Sequence, residues 1–314
     1  MIMRVVITGA TGVVGMALIK KCIEDGIEAV LLVNPESRRL DRIPNDPHIK
    51  VVKCGLECFA DADVDTLGLD KREDGTYADV MFHLAWSGTF GDSRNDKALQ
   101  DRNERYAVDA VRLAHRMGCH IFVGAGSQAE YGRVSGKLAA DTPCDPENEY
   151  GRAKLRASLS TRELAHELGM KHIWPRILSI YGPYDGENTM VMSVIRKLLR
   201  GEKPGLTAGE QMWDFLYADD VANAYMLLAQ KGKDGSIYPI GSGVARPLKE
   251  YIGIIRDTID PALPLGFGEV PYSPKQVMHL CADISKLFED TGFKPSVTFE
   301  EGIKRTIEYV RGIM

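Results

Sequence analysis

The chain has 314 residues, 44% of them hydrophobic and 26% charged, room for about two domains and a globular composition that excludes a disordered or collagenous chain. Lys plus Arg number 39 against 44 for Asp plus Glu, a net charge of -5, so no positive field draws a nucleic-acid backbone and no nucleic acid is expected as a partner. No apolar run approaches the roughly 20 residues of a spanning helix, and the first strand starts too early for a cleavable leader, so a soluble cytoplasmic protein without a membrane partner is expected.

Arg4–Thr8 is a short β-branched run, and residues 13–25 carry helical apolar spacing at Val14, Leu18, Ile19 and Cys22 before Gly26. Between them, Thr8-Gly-Ala-Thr-Gly-Val-Val-Gly15 sets glycines at 9, 12 and 15. Glycines so placed let the backbone turn tightly, approach a pyrophosphate and seat the helix on the sheet, while the helix N-terminus offers N–H donors. Residues 29–33 read as the second strand, with further strands at 51–52, 80–85, 120–124 and 171–175 and helices at 96–117 and 149–168. This alternation predicts an α/β fold: a doubly wound parallel sheet of Rossmann type, buried on both faces.

After Tyr181-Gly-Pro183 the helices shorten and are broken by Gly and Pro, which reads as a smaller C-terminal α/β substrate lobe. It is interleaved with the first, because residues 214–229 and 237–240 read as one more helix and strand of the sheet. The dinucleotide-binding domain is therefore expected at residues 1–176 plus about 212–241, and the substrate lobe at 177–211 and 242–314. The cysteines, Cys22, Cys54, Cys58, Cys119, Cys144 and Cys281, form no CxxC pair and are expected as reduced, buried thiols. The seven histidines show no metal-ligand spacing, so no metal is expected.

Tyr150-Gly-Arg-Ala-Lys154 is a pairing that chance alone produces, and its meaning comes from context. On a helix, i and i+4 share a face, so an ammonium there can favour the tyrosine's phenolate and make it a usable acid or base. Ser127 follows the strand at 120–124, at the carboxyl edge where open α/β sheets bind ligands.

These segments together resemble the extended short-chain dehydrogenase/reductase family. The resemblance rests on the glycine motif, His83-Leu-Ala85, Asn103, Gly126-Ser-Gln-Ala-Glu-Tyr-Gly132, Tyr150 with Lys154, Arg176 with Tyr181-Gly-Pro183, and Asp214-Phe-Leu-Tyr-Ala-Asp-Asp-Val-Ala222. It implies a catalytic triad of Ser127, Tyr150 and Lys154. It also implies a nicotinamide cofactor held by Gly9, Thr11, Gly12, Val13, Val14, Gly15, Leu84, Ala85, Asn103, Tyr150 and Lys154, a nucleotide-sugar substrate on the C-terminal lobe, and a homodimer through the two long helices.

Departures from the family pattern narrow the reaction. Sugar-nucleotide dehydratases carry an acidic pair after the catalytic Ser or Thr; here Gln128 and Ala129 stand there, and dehydration lacks its acid. Asn34 ends the second strand where NAD-specific members place Asp or Glu, with Ser37, Arg38 and Arg39 within reach of a 2′-phosphate; Glu36 is the counter-signal. Trp213 replaces the usual diphosphate-binding Arg, and Ser179 the usual Asn. The closest likeness is to reductases of nucleotide-diphosphate 4-keto-6-deoxyhexoses, using NADP, with an NAD-dependent nucleotide-sugar 4-epimerase as the alternative and a non-catalytic dinucleotide-binding protein as a third reading. Ser87, Thr89, Ser179, Asn188, Trp213 and Arg246 are the candidate substrate contacts, with Lys275 as a further cation.

Overall fold

The computed structural model describes residues 3–314. The first half winds through β1 (Arg4–Thr8), α1 (Val13–Glu24), β2 (Glu28–Val33), β3 (Ile49–Lys53), β4 (Val80–His83), α2 (Lys97–Arg116), β5 (Ile121–Val123), β6 (Gly126–Ser127), α3 (Glu149–Glu167) and β7 (Lys171–Ile177). The second half adds β8 (Ser179–Tyr181), α4 (Met190–Leu199), β9 (Met212–Trp213), β10 (Phe215–Tyr217), α5 (Ala218–Lys231) and β11 (Ser236–Ile240). It ends with β12 (Arg246–Pro247), α6 (Leu248–Ile259), β13 (His279–Leu280), α7 (Ser285–Thr291) and α8 (Phe299–Ile313).

The main sheet runs β11-β7-β5-β4-β1-β2-β3, with β6 added beside β7, and its pairings are parallel. The strands read as unbroken apolar runs because both faces are covered. Side-chain alternation splits β1 between them: Val5 and Ile7 pack with Leu18, Ile19 and Tyr225 on the α1–α5 side, and Val6 packs with Met81, Leu113 and Phe122 on the α2 side. Full burial of such side chains stabilises by about 1.5–3 kcal/mol each. The strand order reverses between β4 and β1, which opens a crevice above their carboxyl ends.

The C-terminal lobe packs α4, α6 and α8 around Ile195, Ile252, Ile255, Ile303 and Val310. The sequence expectation of one helix over 214–229 is corrected here. Phe215–Tyr217 is a strand paired in parallel with Ser179–Tyr181, and the helix starts at Ala218. A three-residue apolar run has no periodicity of its own, so its pairing with β8 decides its state. The cysteine expectation also needs correction: Cys22, Cys54, Cys119 and Cys281 are buried free thiols, but Cys144 is half-buried and Cys58 exposed. Among the described residues, no helix is long and apolar enough to cross a membrane.

Candidate active site

The glycine turn between β1 and α1 is built for close backbone approach. Gly9 adopts φ 72°, and a Cβ there would lie 2.7 Å from the Ala85 amide nitrogen; one on Gly15 would lie 2.4 Å from the Gly9 carbonyl oxygen. Gly12 caps α1 without any side-chain hydrogen bond, so among the described residues no side chain caps the first-turn N–H groups, the donor set that a dinucleotide pyrophosphate requires. The buried Thr8 hydroxyl accepts from the Leu84 and Ala85 amides, both at 3.2 Å, and bonds to His83 Nδ1 at 3.0 Å. Burial, aided by the Lys154 charge, pushes the His83 imidazole down to about 3, so it is neutral and holds the turn.

Two adjoining cavities meet at this turn. The larger, about 720 Å³, is lined by Thr11 to Gly15, Leu84, Ala85, Trp86, Thr89, Arg94, Ser179, Asp185, Gln211 and Trp213, among others. The smaller, about 510 Å³, lies over the end of β2 and is lined by Asn34, Ser37, Arg38, Arg39, Ser87 and Arg102. Asn34 Oδ1 accepts from the Glu36 amide at 2.9 Å, which turns the chain so that Glu36 is exposed and off the cavity wall.

Ser127, Tyr150 and Lys154 converge just behind the wall of the larger cavity. Tyr150 is buried, its ring edge-on to Trp86 at 6.2 Å and covered by the Arg94 guanidinium at 4.9 Å. Burial pushes the Tyr150 phenol up; the Ser127 hydrogen bond and the Arg94 charge pull it down, and Glu130 pushes it up. Lys154 shares the Tyr150 helix face as its spacing requires, but its ammonium donates to the Ala125 carbonyl at 2.6 Å and sits 3.7 Å from the Trp86 ring centroid. Burial drives that ammonium's pKa down, with Glu130 opposing.

Ser127 is itself fixed by a buried ion pair. Glu130 accepts from the Ser127 amide at 2.8 Å, from Trp174 Nε1 at 3.1 Å and from Arg176 Nε at 2.6 Å, while the Ser127 hydroxyl accepts from the Ala129 amide. The Trp174 ring needs glycine at two positions, since a Cβ on Gly124 or Gly126 would fall 2.3 Å or 2.4 Å from it.

The sequence profile of the NAD dependent epimerase/dehydratase family matches residues 5–241. The chain belongs to this family of enzymes. The dTDP-glucose 4,6-dehydratase of Xanthomonas campestris pv. campestris is 28% identical over 222 residues, 68% of this chain and 60% of that protein, so the match spans three-fifths of that relative's length. The dTDP-D-glucose 4,6-dehydratase of Homo sapiens is 25% identical over 328 residues, covering 98% of this chain and 90% of the relative. Among solved structures, a UDP-N-acetylglucosamine 4-epimerase from Methanobrevibacter ruminantium superposes with a TM-score of 0.87 at 22% identity, covering 100% of this chain and 99% of that one.

Within this epimerase/dehydratase fold the remaining sequence candidates separate. Gly9, Thr11, Gly12, Val13, Val14, Gly15, Leu84 and Ala85 line the large cavity together with Thr89, Ser179 and Trp213. The last two are bonded to each other, Trp213 Nε1 donating to Ser179 Oγ at 2.7 Å. Ser87 opens onto the small cavity instead, and Asn103 is buried, holding both the amide and the carbonyl of Ser87. Asn188 is exposed and off both walls. Arg246 is paired with Glu300 at 2.9 Å, and Lys275 lines a separate recess beside Gln128 and Ala129.

Several wall residues escaped the sequence reading. Gln211 is buried with Oε1 lacking a partner among the described residues. Asp185 is raised to about 6 by burial, against hydrogen bonds from Thr189 and the Gly186 amide. Trp86, Arg94 and Arg102 lie in segments whose apolar pattern carries no sign of what they face. Asp185 stands next to the quoted Tyr-Gly-Pro motif, which was the one available signal for it.

Proposed function

We propose that this protein reduces the 4-keto group of a nucleotide-diphosphate 4-keto-6-deoxyhexose with NADPH. The observation that carries the reading is the small cavity at the end of β2. Arg38, Arg39 and Arg102 line it, and none of these guanidinium groups makes an ion pair or hydrogen bond among the described residues. Three uncommitted cations and a neutral Asn34 suit a ribose 2′-phosphate, where a carboxylate would repel it. Glu36 points elsewhere.

The bound cofactor supplies a hydride; the chain supplies everything else. The α1 N-terminus and the glycine turn would receive the pyrophosphate, while Ser127 orients the ketone and Tyr150 delivers a proton to its oxygen. Lys154, which donates to the Ala125 carbonyl, would hold the nicotinamide ribose. Dehydration is disfavoured twice over, because Gln128 and Ala129 bear no acid and the next acid, Glu130, is committed to Arg176. The paired Trp213 and Ser179 side chains form an uncharged wall for the substrate. The second reading is NAD-dependent 4-epimerisation, the activity named for the solved 4-epimerase that superposes on this chain, whereas the two relatives above are named as dehydratases. The side-by-side packing of α2 and α3, with Leu159 exposed on α3, supports a homodimer.

Charge-assisted hydrogen bonds to a phosphate contribute about 1.5–3 kcal/mol, or roughly 10- to 150-fold in binding. NADPH should therefore exceed NADH in kcat/KM by about tenfold or more, and replacing Arg38 and Arg39 together by Ala should erase most of that gap while sparing NADH. A wild-type preference for NADH would refute the reading.

A further inference from the structure

Arg94 lies in the short 3-10 turn Gly91–Asn95 that leads into α2. It lines the large cavity and also the recess that holds Gln128 and Ala129. Its guanidinium carbon stands 4.9 Å from the centroid of the Tyr150 ring, and its Nε is buried with no hydrogen-bond partner among the described residues. With no carboxylate paired to it among the described residues, the Arg94 charge is available to a negative charge on the phenol it covers. Lys154 does not fill that role in this structure: its ammonium is 5.9 Å from the same ring and bound to the Ala125 carbonyl.

We propose that Arg94 is a positioning residue, the cation that stabilises the negative charge on the Tyr150 oxygen as its proton leaves. The inference rests on the reading above, in which Tyr150 is the proton donor. As a hydride from NADPH, which would become NADP+, forms the new C–H bond, the carbonyl π pair takes the Tyr150 proton, and the phenolate that remains is the charge Arg94 offsets until solvent reprotonates it. The position serves a second purpose. Arg94 and Trp86 separate Tyr150 from the open cavity, so a sugar oxygen reaching the phenol also meets the guanidinium.

The charged and titratable groups that face Tyr150 come from four places. Arg94 reaches it from its turn and Lys154 from the same helix. Glu130 acts from the turn after β6 and Tyr225 from α5. Glu130 opposes phenolate formation, and its ion pair with Arg176 at 2.6 Å blunts it. The Arg94 charge is therefore the nearest cation to the Tyr150 ring.

The test isolates Tyr150 by subtracting the phenolate ultraviolet titration of Tyr150→Phe from that of the intact protein, both saturated with NADP+. Repeated in Arg94→Met, the difference titration should move its midpoint upward by about one pH unit or more. Arg94→Lys, which keeps the charge, should restore at least half of that shift. An unmoved midpoint in Arg94→Met overturns the proposal, and so does an equal shift in Arg94→Lys, since packing rather than charge would then be responsible. Full turnover by Tyr150→Phe would instead refute the proton-donor reading, whatever Arg94 does to the titration.

Discussion

At the scale of residues, the centre of the site is a buried phenol whose acidity is contested by its neighbours. Burial and Glu130 hold it protonated, while Ser127 and Arg94 favour release. A proton donor that stays neutral until the ketone arrives suits reduction, since it must carry its proton into the transition state. Tyr150→Phe should lower turnover by roughly 100- to 10,000-fold while leaving NADPH binding within about twofold of wild type, because the phenol is spent on the chemistry. Steady-state kinetics with a fluorescence titration of bound NADPH checks both halves. Ser127 shows the same logic one step removed. Its place after the strand at 120–124 was readable, but the Glu130–Arg176 pair that fixes it joins β7 to the turn after β6, and no local pattern announces a contact between such distant segments.

Elements of the first half were legible nearly to their ends. Arg4–Thr8 as read is β1, and α1, α2 and α3 start within a residue of expectation, since a sheet buried on both faces writes itself as apolar runs separated by Gly-rich turns. The second half was harder because β8, β9, β10, β12 and β13 have two or three residues each and are defined by partners rather than by propensity. Asp214 shows how such short elements are held. Fully buried between β9 and β10, its carboxylate accepts from the Ser242 amide at 2.7 Å, the Ser242 hydroxyl at 2.6 Å, the Gly243 amide at 3.1 Å and the Ala282 amide at 3.0 Å. Asp214→Ala should cost about 3 kcal/mol in urea unfolding, as it strands buried donors, and Asp214→Asn should cost less because its carbonyl oxygen still accepts. Equal losses would mean that packing, not hydrogen bonding, matters there.

For the whole molecule, the two ends of the crevice differ in how far sequence reveals them. The glycine turn depends on backbone geometry, so its glycines declare it. The proposed sugar end is assembled from the loop after β4, the β8 edge, and β9, and its members came to light only when the fold brought Trp86, Asp185, Gln211 and Trp213 to one cavity. The same assembly explains why two sequence departures are one structural feature: Trp213 and Ser179 are bonded partners. What separates reduction from epimerisation is the fate of the hydride. The most direct test is to follow NADPH absorbance and sugar product together when the protein meets a nucleotide-diphosphate 4-keto-6-deoxyhexose. One NADPH should be oxidised for each ketone converted to alcohol, with the cofactor released; interconversion of nucleotide hexoses with tightly retained NAD and no net cofactor consumption would contradict the proposed reduction.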